Sequence, residues 1–231
     1  MEKKMGKEIK VMHKNQTISG YFSIPLSGSG PAVIVVQEWW GLVPHIKEIT
    51  DRLAAEGFLA FAPDLYHGVA TTEPDEAKKL LMELELSRAG AEISSAANYL
   101  LSLPESSAKT VATMGFCMGG ALAIWSATLS DDVRSVIGFY PGQSWDRHKP
   151  DWANFKGKRA LIHCSEADGT SQAPSIQEAI AEISAAGGDS EVFDYTGTRH
   201  AFFNDHRADV YDRTASELSW SRSIKFLHEM E

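Results

Sequence analysis

Cysteine is scarce in this chain. Cys117 and Cys164 are the only two among 231 residues, too few for a disulfide framework or for a cysteine-based zinc site. Long apolar runs are also missing: no segment approaches the roughly 20 residues that a membrane span requires. Positive charge is in the minority, with 22 Lys+Arg against 31 Asp+Glu and a net charge of -9. No basic stripe with interleaved aromatics offsets that balance, so neither nucleic acid nor an anionic membrane is expected as a partner. The opening "MEKKMGKEIK" is charged but leads into no apolar run, unlike a secretory signal. The expectation is a soluble, cytoplasmic protein with reduced thiols.

What is present is a repeated alternation of two patterns. The length and the 43% hydrophobic content suit one domain over 1–231. "QTISGYFSIP" alternates loosely and predicts an antiparallel strand paired with "KEIKVMH". "PAVIVVQ" is then a continuous β-branched run of the kind that parallel strands buried on both faces require. "PHIKEITDRLAAEG" follows at helical spacing, with Gly57 as its terminator. Further strands are predicted at "FLAFAP", "KTVATMGF", "VRSVIGFY", "RALIHC" and "SEVFDY". Helices are predicted at "EPDEAKKLLMELEL", "AGAEISSAANYLLSL", "MGGALAIWSATL", "SIQEAIAEISAAG" and "DVYDRTASELSWSRSIKFLHEM". The fold class is therefore α/β, a mainly parallel sheet with helices on both faces and its site at the carboxyl ends of the strands.

At one such end stands "MGFCMGG", a strand-to-helix turn with Cys117 between Gly115 and Gly119. It has the form of a nucleophile elbow in which cysteine replaces the usual serine. The start of the following helix would favour a thiolate and lower the thiol pKa, and the Met118 N–H could hold an oxyanion. A tight turn around a small buried cysteine would look the same. Two more residues weigh for chemistry: "CSEADG" puts Asp168, and "TRHAFFND" puts His200, just past a predicted strand. The order Cys117, Asp168, His200 is nucleophile, acid, histidine, as in α/β-hydrolases. Glu166 rivals Asp168 as the acid; Asp194 is weaker, lying within a strand. His163 and Cys164 end a buried strand and read as packing. The remaining histidines show no metal-ligand spacing.

Taken together, "VIVVQEWWG", "APDLYHG", "MGFCMGG", "SEADG", "GTRHAFFND" and "SWSRSIKFL" resemble the dienelactone hydrolase family of α/β-hydrolases (carboxymethylenebutenolidase-like) over nearly the whole chain. The resemblance implies Cys117 as nucleophile, His200 as base and Asp168 as its partner, with Glu38 controlling the protonation of the thiol. An ordinary strand-end carboxylate capping the next turn is the plainer alternative for Glu38. The N–H groups of Trp39 and Met118 would form the oxyanion hole. Trp40, Ala201, Phe202 and Asn204 are candidate substrate contacts, although tryptophans at a strand end are as often core anchors. The implied activity is hydrolysis of a small-molecule ester or lactone through a thioester, with no metal or organic cofactor, by a monomer or small homo-oligomer.

Two departures bear on substrate. Ala201 and Asn204 stand where dienelactone-opening members carry serine and arginine, so a carboxylate-bearing substrate is not specifically expected. Arg88, Arg199 and Arg207 are the possible substitutes. Rival functions are a ligand-binding protein that kept the pocket but lost turnover, and a thiol redox sensor with Cys164 as resolving partner.

Overall fold

The computed structural model describes residues 6–13, 16–142 and 144–229. Its centre is one eight-stranded sheet. The strands are β1 (Gly6–His13), β2 (Gln16–Ser23), β3 (Gly30–Val36), β4 (Leu59–Pro63), β5 (Ser106–Phe116), β6 (Val133–Phe139), β7 (Arg159–Ser165) and β8 (Asp189–Tyr195). They lie in the order β1-β2-β4-β3-β5-β6-β7-β8. The pairings β1–β2 and β2–β4 are antiparallel, and every later neighbour is parallel. The helices are α1 (Pro44–Ala55), α2 (Pro74–Glu83), α3 (Leu86–Ser102), α4 (Met118–Leu129), α5 (Pro174–Ala185) and α6 (Arg213–His228).

The continuous β-branched run of β3 is explained by its two neighbours in the packing. Ile34 and Val36 point to one face, which α3 and α4 cover, while Val33 and Val35 point to the other, covered by α1. Successive strand side chains alternate faces, so a strand covered on both sides has no solvent position to spend on a polar residue. α4 takes this further: Met118 through Thr128 are all buried, which accounts for a helix sequence with no polar stripe. Among the described residues no helix is long and apolar enough to cross a membrane.

Most boundaries follow the sequence pattern to within three residues, α2 ending at Glu83 and α3 starting at Leu86, and one departs further. The last helix, expected from Asp209, begins at Arg213 because the Asp212 carboxylate accepts the Ala215 N–H at 2.8 Å and caps it there. Residues 209–212 instead belong to a loop in which the N–H groups of Val210 and Tyr211 both return to the Arg207 carbonyl. Gly57 closes α1 with φ +99, a conformation that favours glycine. Met230, the last residue of that expected helix, lies outside the described residues.

Candidate active site

The carboxyl ends of β3, β5, β6, β7 and β8 open on the same edge of the sheet, because these strands are mutually parallel. Cys117 links β5 to α4 with φ +56 and ψ -119, a strained backbone for a side-chain-bearing residue. Its N–H is held by the Phe139 carbonyl at 3.0 Å, and its own carbonyl receives the Gly120 N–H at 3.0 Å. The two glycines are required by contact. A Cβ on Gly115 would come within 1.9 Å of the Gly119 carbonyl oxygen, and one on Gly119 within 2.3 Å of the Val36 oxygen. Gly119 thus lets the end of β3 lie directly against the first turn of α4. That approach is what brings Glu38 to Cys117.

Glu38 is only 1% exposed. Its Oε2 accepts the Nδ2–H of Asn204, itself buried, at 2.9 Å. Burial pushes the carboxyl pKa up, while His45, the Asn204 hydrogen bond and Arg207 pull it down without cancelling the rise. The thiol beside it is affected in the same sense. Loss of solvent, then the Glu38 charge, push the Cys117 pKa up to about 12 against the opposing pull of the Met118 N–H and of Arg207. This corrects the expectation of a thiol acidified by the helix start: that contribution is present, and desolvation outweighs it.

His200 follows β8 on a turn and is half-buried, its ring 4.9 Å from that of Tyr140. Burial lowers its pKa, Asp168 pulls it back up, and Arg207 lowers it further. Asp168 is exposed, in a single 3-10 turn after β7, and accepts the Ser165 hydroxyl at 2.9 Å. Among the described residues no hydrogen bond joins Cys117 to His200 or His200 to Asp168; the last two are coupled through their charges. Glu166, the rival acid, is engaged elsewhere, accepting the Gly197 N–H at 2.9 Å. His163 is fully buried between the Tyr195 hydroxyl at 2.7 Å and the Ser223 hydroxyl at 2.9 Å, a core position.

A cavity of about 610 Å³ opens beside this group, lined in part by Trp39, Trp40, Thr71, Asn204 and Arg207. The two indoles are half-buried and meet edge-on at 4.9 Å. Phe202 is fully buried against Tyr140 and Tyr195, and Ala201, at φ +67, lies in the same core; neither lines the cavity. A larger hollow of about 750 Å³ lies at the β1–β2 edge and shares none of the strand-end residues named above. Of the three arginines, Arg207 borders the cavity, with Asp209 at 2.7 Å, while Arg88 is drawn to Glu92 at 3.8 Å.

One residue at the site went unmarked in the sequence. Tyr140, just past β6, has φ +39 and is fully buried, its hydroxyl near the Phe203 N–H but without hydrogen-bond geometry. Burial and the charges of Glu38 and Cys117 hold its pKa well above the usual phenol value. Its place at a strand end was the available signal.

The sequence profile of the dienelactone hydrolase family matches residues 18–231. A relative in Aquifex pyrophilus called protein usf is 33% identical, with 97% of this chain and 99% of that protein covered. Carboxymethylenebutenolidase 1 of Cupriavidus pinatubonensis is 32% identical over a stretch covering 52% of this chain and 54% of that one. Among solved structures, a dienelactone hydrolase-like promiscuous phosphotriesterase from metagenomic libraries superposes with a TM-score of 0.83 at 23% identity, covering 97% of this chain and 98% of the other. The eight-stranded sheet is thus an α/β-hydrolase fold, and the chain belongs to the dienelactone hydrolase family, a hydrolase of carboxylic ester or lactone bonds.

Proposed function

We propose that the chain cleaves its ester or lactone through Cys117 and a thioester acyl-enzyme, with Glu38, His200 and Asp168 completing the machinery. The observation that carries this reading is a strained, half-buried cysteine whose thiol shares a desolvated site with a buried carboxylate. Burial makes the carboxyl a stronger proton acceptor than an ordinary one while the thiol resists ionisation, so the proton passes to Glu38 when a substrate carbonyl arrives to take up the thiolate charge. Glu38 accepts the thiol proton and the thiolate attacks the carbonyl carbon. The N–H groups of Trp39 and Met118 hold the resulting oxyanion. As the C–O bond breaks, His200 hands a proton to the departing alkoxide and is resupplied with the one Glu38 took from the thiol. Neutral His200 then takes a proton from water, and the hydroxide so formed breaks the thioester; the released thiolate recovers its proton from the His200 imidazolium.

The lining of the cavity supports a substrate class. Two indoles suit an apolar acyl or ring portion, and Arg207 is the cationic group at its border, partly neutralised by Asp209. Uncharged lactones and small esters are therefore expected to turn over at least as well as a carboxylate-bearing dienelactone. The redox-sensor alternative is disfavoured by Cys164, which is fully buried with its thiol pushed up to about 12, the reverse of a reactive resolving thiol.

A panel of lactones, short acyl esters and dienelactone tests the reading, combined with rapid quenching and intact-mass detection of an acyl adduct on Cys117. Turnover with an adduct that is absent from Cys117→Ala is the expected result. Turnover that survives in Cys117→Ala would remove the thioester, and a panel without turnover would favour a binding protein.

A further inference from the structure

Beside the cavity lies a group that the reaction above does not use. α1 presents His45 and Glu48 one helical turn apart, on the side where the loop after His200 passes. That loop brings Asp205 and His206. His45 Nδ1 is 3.2 Å from Asp205 Oδ1, His206 Nε2 is 4.0 Å from the same oxygen, and one donor atom from each of the three residues lies within 4.8 Å of the others. Glu48 Oε2 is 2.7 Å from His206 Nε2.

A tetrahedral zinc ion with bonds of about 2.0–2.2 Å has its donors roughly 3.3 Å apart. The His45–Asp205 edge already has nearly that length, the His206–Asp205 edge is 4.0 Å, and His206, which has the closing to do, is a side chain that is 43% exposed. Imidazole and carboxylate donors together suit a zinc-class cation rather than magnesium or calcium. His45 supplies the preorganised half: it is only 2% exposed, its ring packs against Phe116 and Phe203, and its Nε2 is buried with no hydrogen-bond partner among the described residues. A ligand on Nδ1 would leave the Nε2–H within electrostatic reach of Glu38, the type of second charge that metal-bound imidazoles pair with. Asp205 and His206, being exposed, give an ion a way in.

From these contacts we propose that His45, Asp205 and His206 form a site for a zinc-class divalent cation, with Glu48 releasing His206 as the ion enters, that ties the loop carrying the base to the start of α1. The sequence hid this because its ligands come from segments 160 residues apart. The proposal is independent of the thioester mechanism. The ion would act on position: Asn204, which holds Glu38, is the neighbour of Asp205, so fixing the loop at 205–206 fixes that hydrogen bond as well.

The test is zinc titration of chelator-stripped protein by calorimetry, carried out in Cys117→Ala so that the thiol cannot compete for the metal. One equivalent should bind with micromolar or tighter affinity and raise the melting temperature, while magnesium at the same concentration does neither. His206→Ala and Asp205→Asn, both at exposed positions and each checked for an unchanged circular-dichroism spectrum, should weaken zinc at least tenfold and lose the thermal shift. Cobalt in place of zinc should give visible d–d bands with no thiolate charge-transfer band. No uptake at micromolar zinc, or binding unchanged in both variants, would overturn the proposal.

Discussion

Glu38 and Cys117 stand at the ends of strands whose final residues, Val36 and Phe116, have no exposure, whereas Asp168 and His200 stand on turns that solvent reaches. The first pair is fixed by backbone contact, since Gly119 allows β3 and α4 to touch and Asn204 pins the carboxylate. The second pair is held by charge, with no hydrogen bond between the two side chains among the described residues. On the proposed mechanism the difference separates the tasks. A thiol enclosed with a carboxylate stays protonated at rest, and its activation depends on what enters the site. A histidine near the surface can exchange protons with water and leaving groups, and the charge that orients it is partly screened.

This contrast can be broken at either pair, and the largest effect is expected at the histidine. If the proposed mechanism holds, His200→Ala removes the leaving-group acid and the water-activating base together and should lower turnover of an activated ester by about 10³-fold. The fold should survive, because the turn is not part of the sheet; steady-state kinetics beside a thermal melt check both points. Cys117→Ser comes next, with a loss of about 10²-fold or more. A serine hydroxyl is far less acidic than a thiol already pushed up to about 12, and Glu38 cannot accept its proton. Full activity in the serine variant would mean that a histidine-driven serine site is sufficient here.

Asp168→Asn should have the smallest effect of the three, about fivefold or less in kcat, the size of a screened surface interaction. Its more specific signature is in pH. Asp168 raises the His200 pKa against burial, so the asparagine variant should shift the histidine limb of the rate profile to lower pH. An unshifted limb would hand the orienting role to another acid.

The strained turn at Cys117 and the strand ends were legible in the sequence because continuous apolar runs mark buried parallel strands and glycines mark places where backbone meets backbone. The order Cys117, Asp168, His200 needed nothing more than those strand ends. What could not be read was the balance of forces at the thiol. "MGFCMGG" displays the helix start that favours a thiolate, but nothing in it displays the loss of solvent that wins. The bond from Asn204 to Glu38 spans 166 residues, and the contact of His45 with Asp205 spans 160, so neither leaves a local pattern. The start of α6 was ambiguous for a different reason: Asp209 and Asp212 can both cap a helix, and only the loop's return to Arg207 selects the second.

The central claim is that Cys117 is a neutral thiol at rest, held so by burial and by the Glu38 charge. The most direct measurement is the pH dependence of Cys117 alkylation by a small uncharged reagent, followed by mass spectrometry in wild type and Glu38→Gln. In wild type the rate should still be climbing at about pH 10, well beyond the ordinary thiol inflection near 8.5. In Glu38→Gln the inflection should move down, because a negative charge that opposed the thiolate has gone, while ester turnover falls because the proton acceptor has gone with it. A wild-type inflection at or below the ordinary thiol value, unmoved in Glu38→Gln, would mean that a resting thiolate occupies the site and would contradict the account.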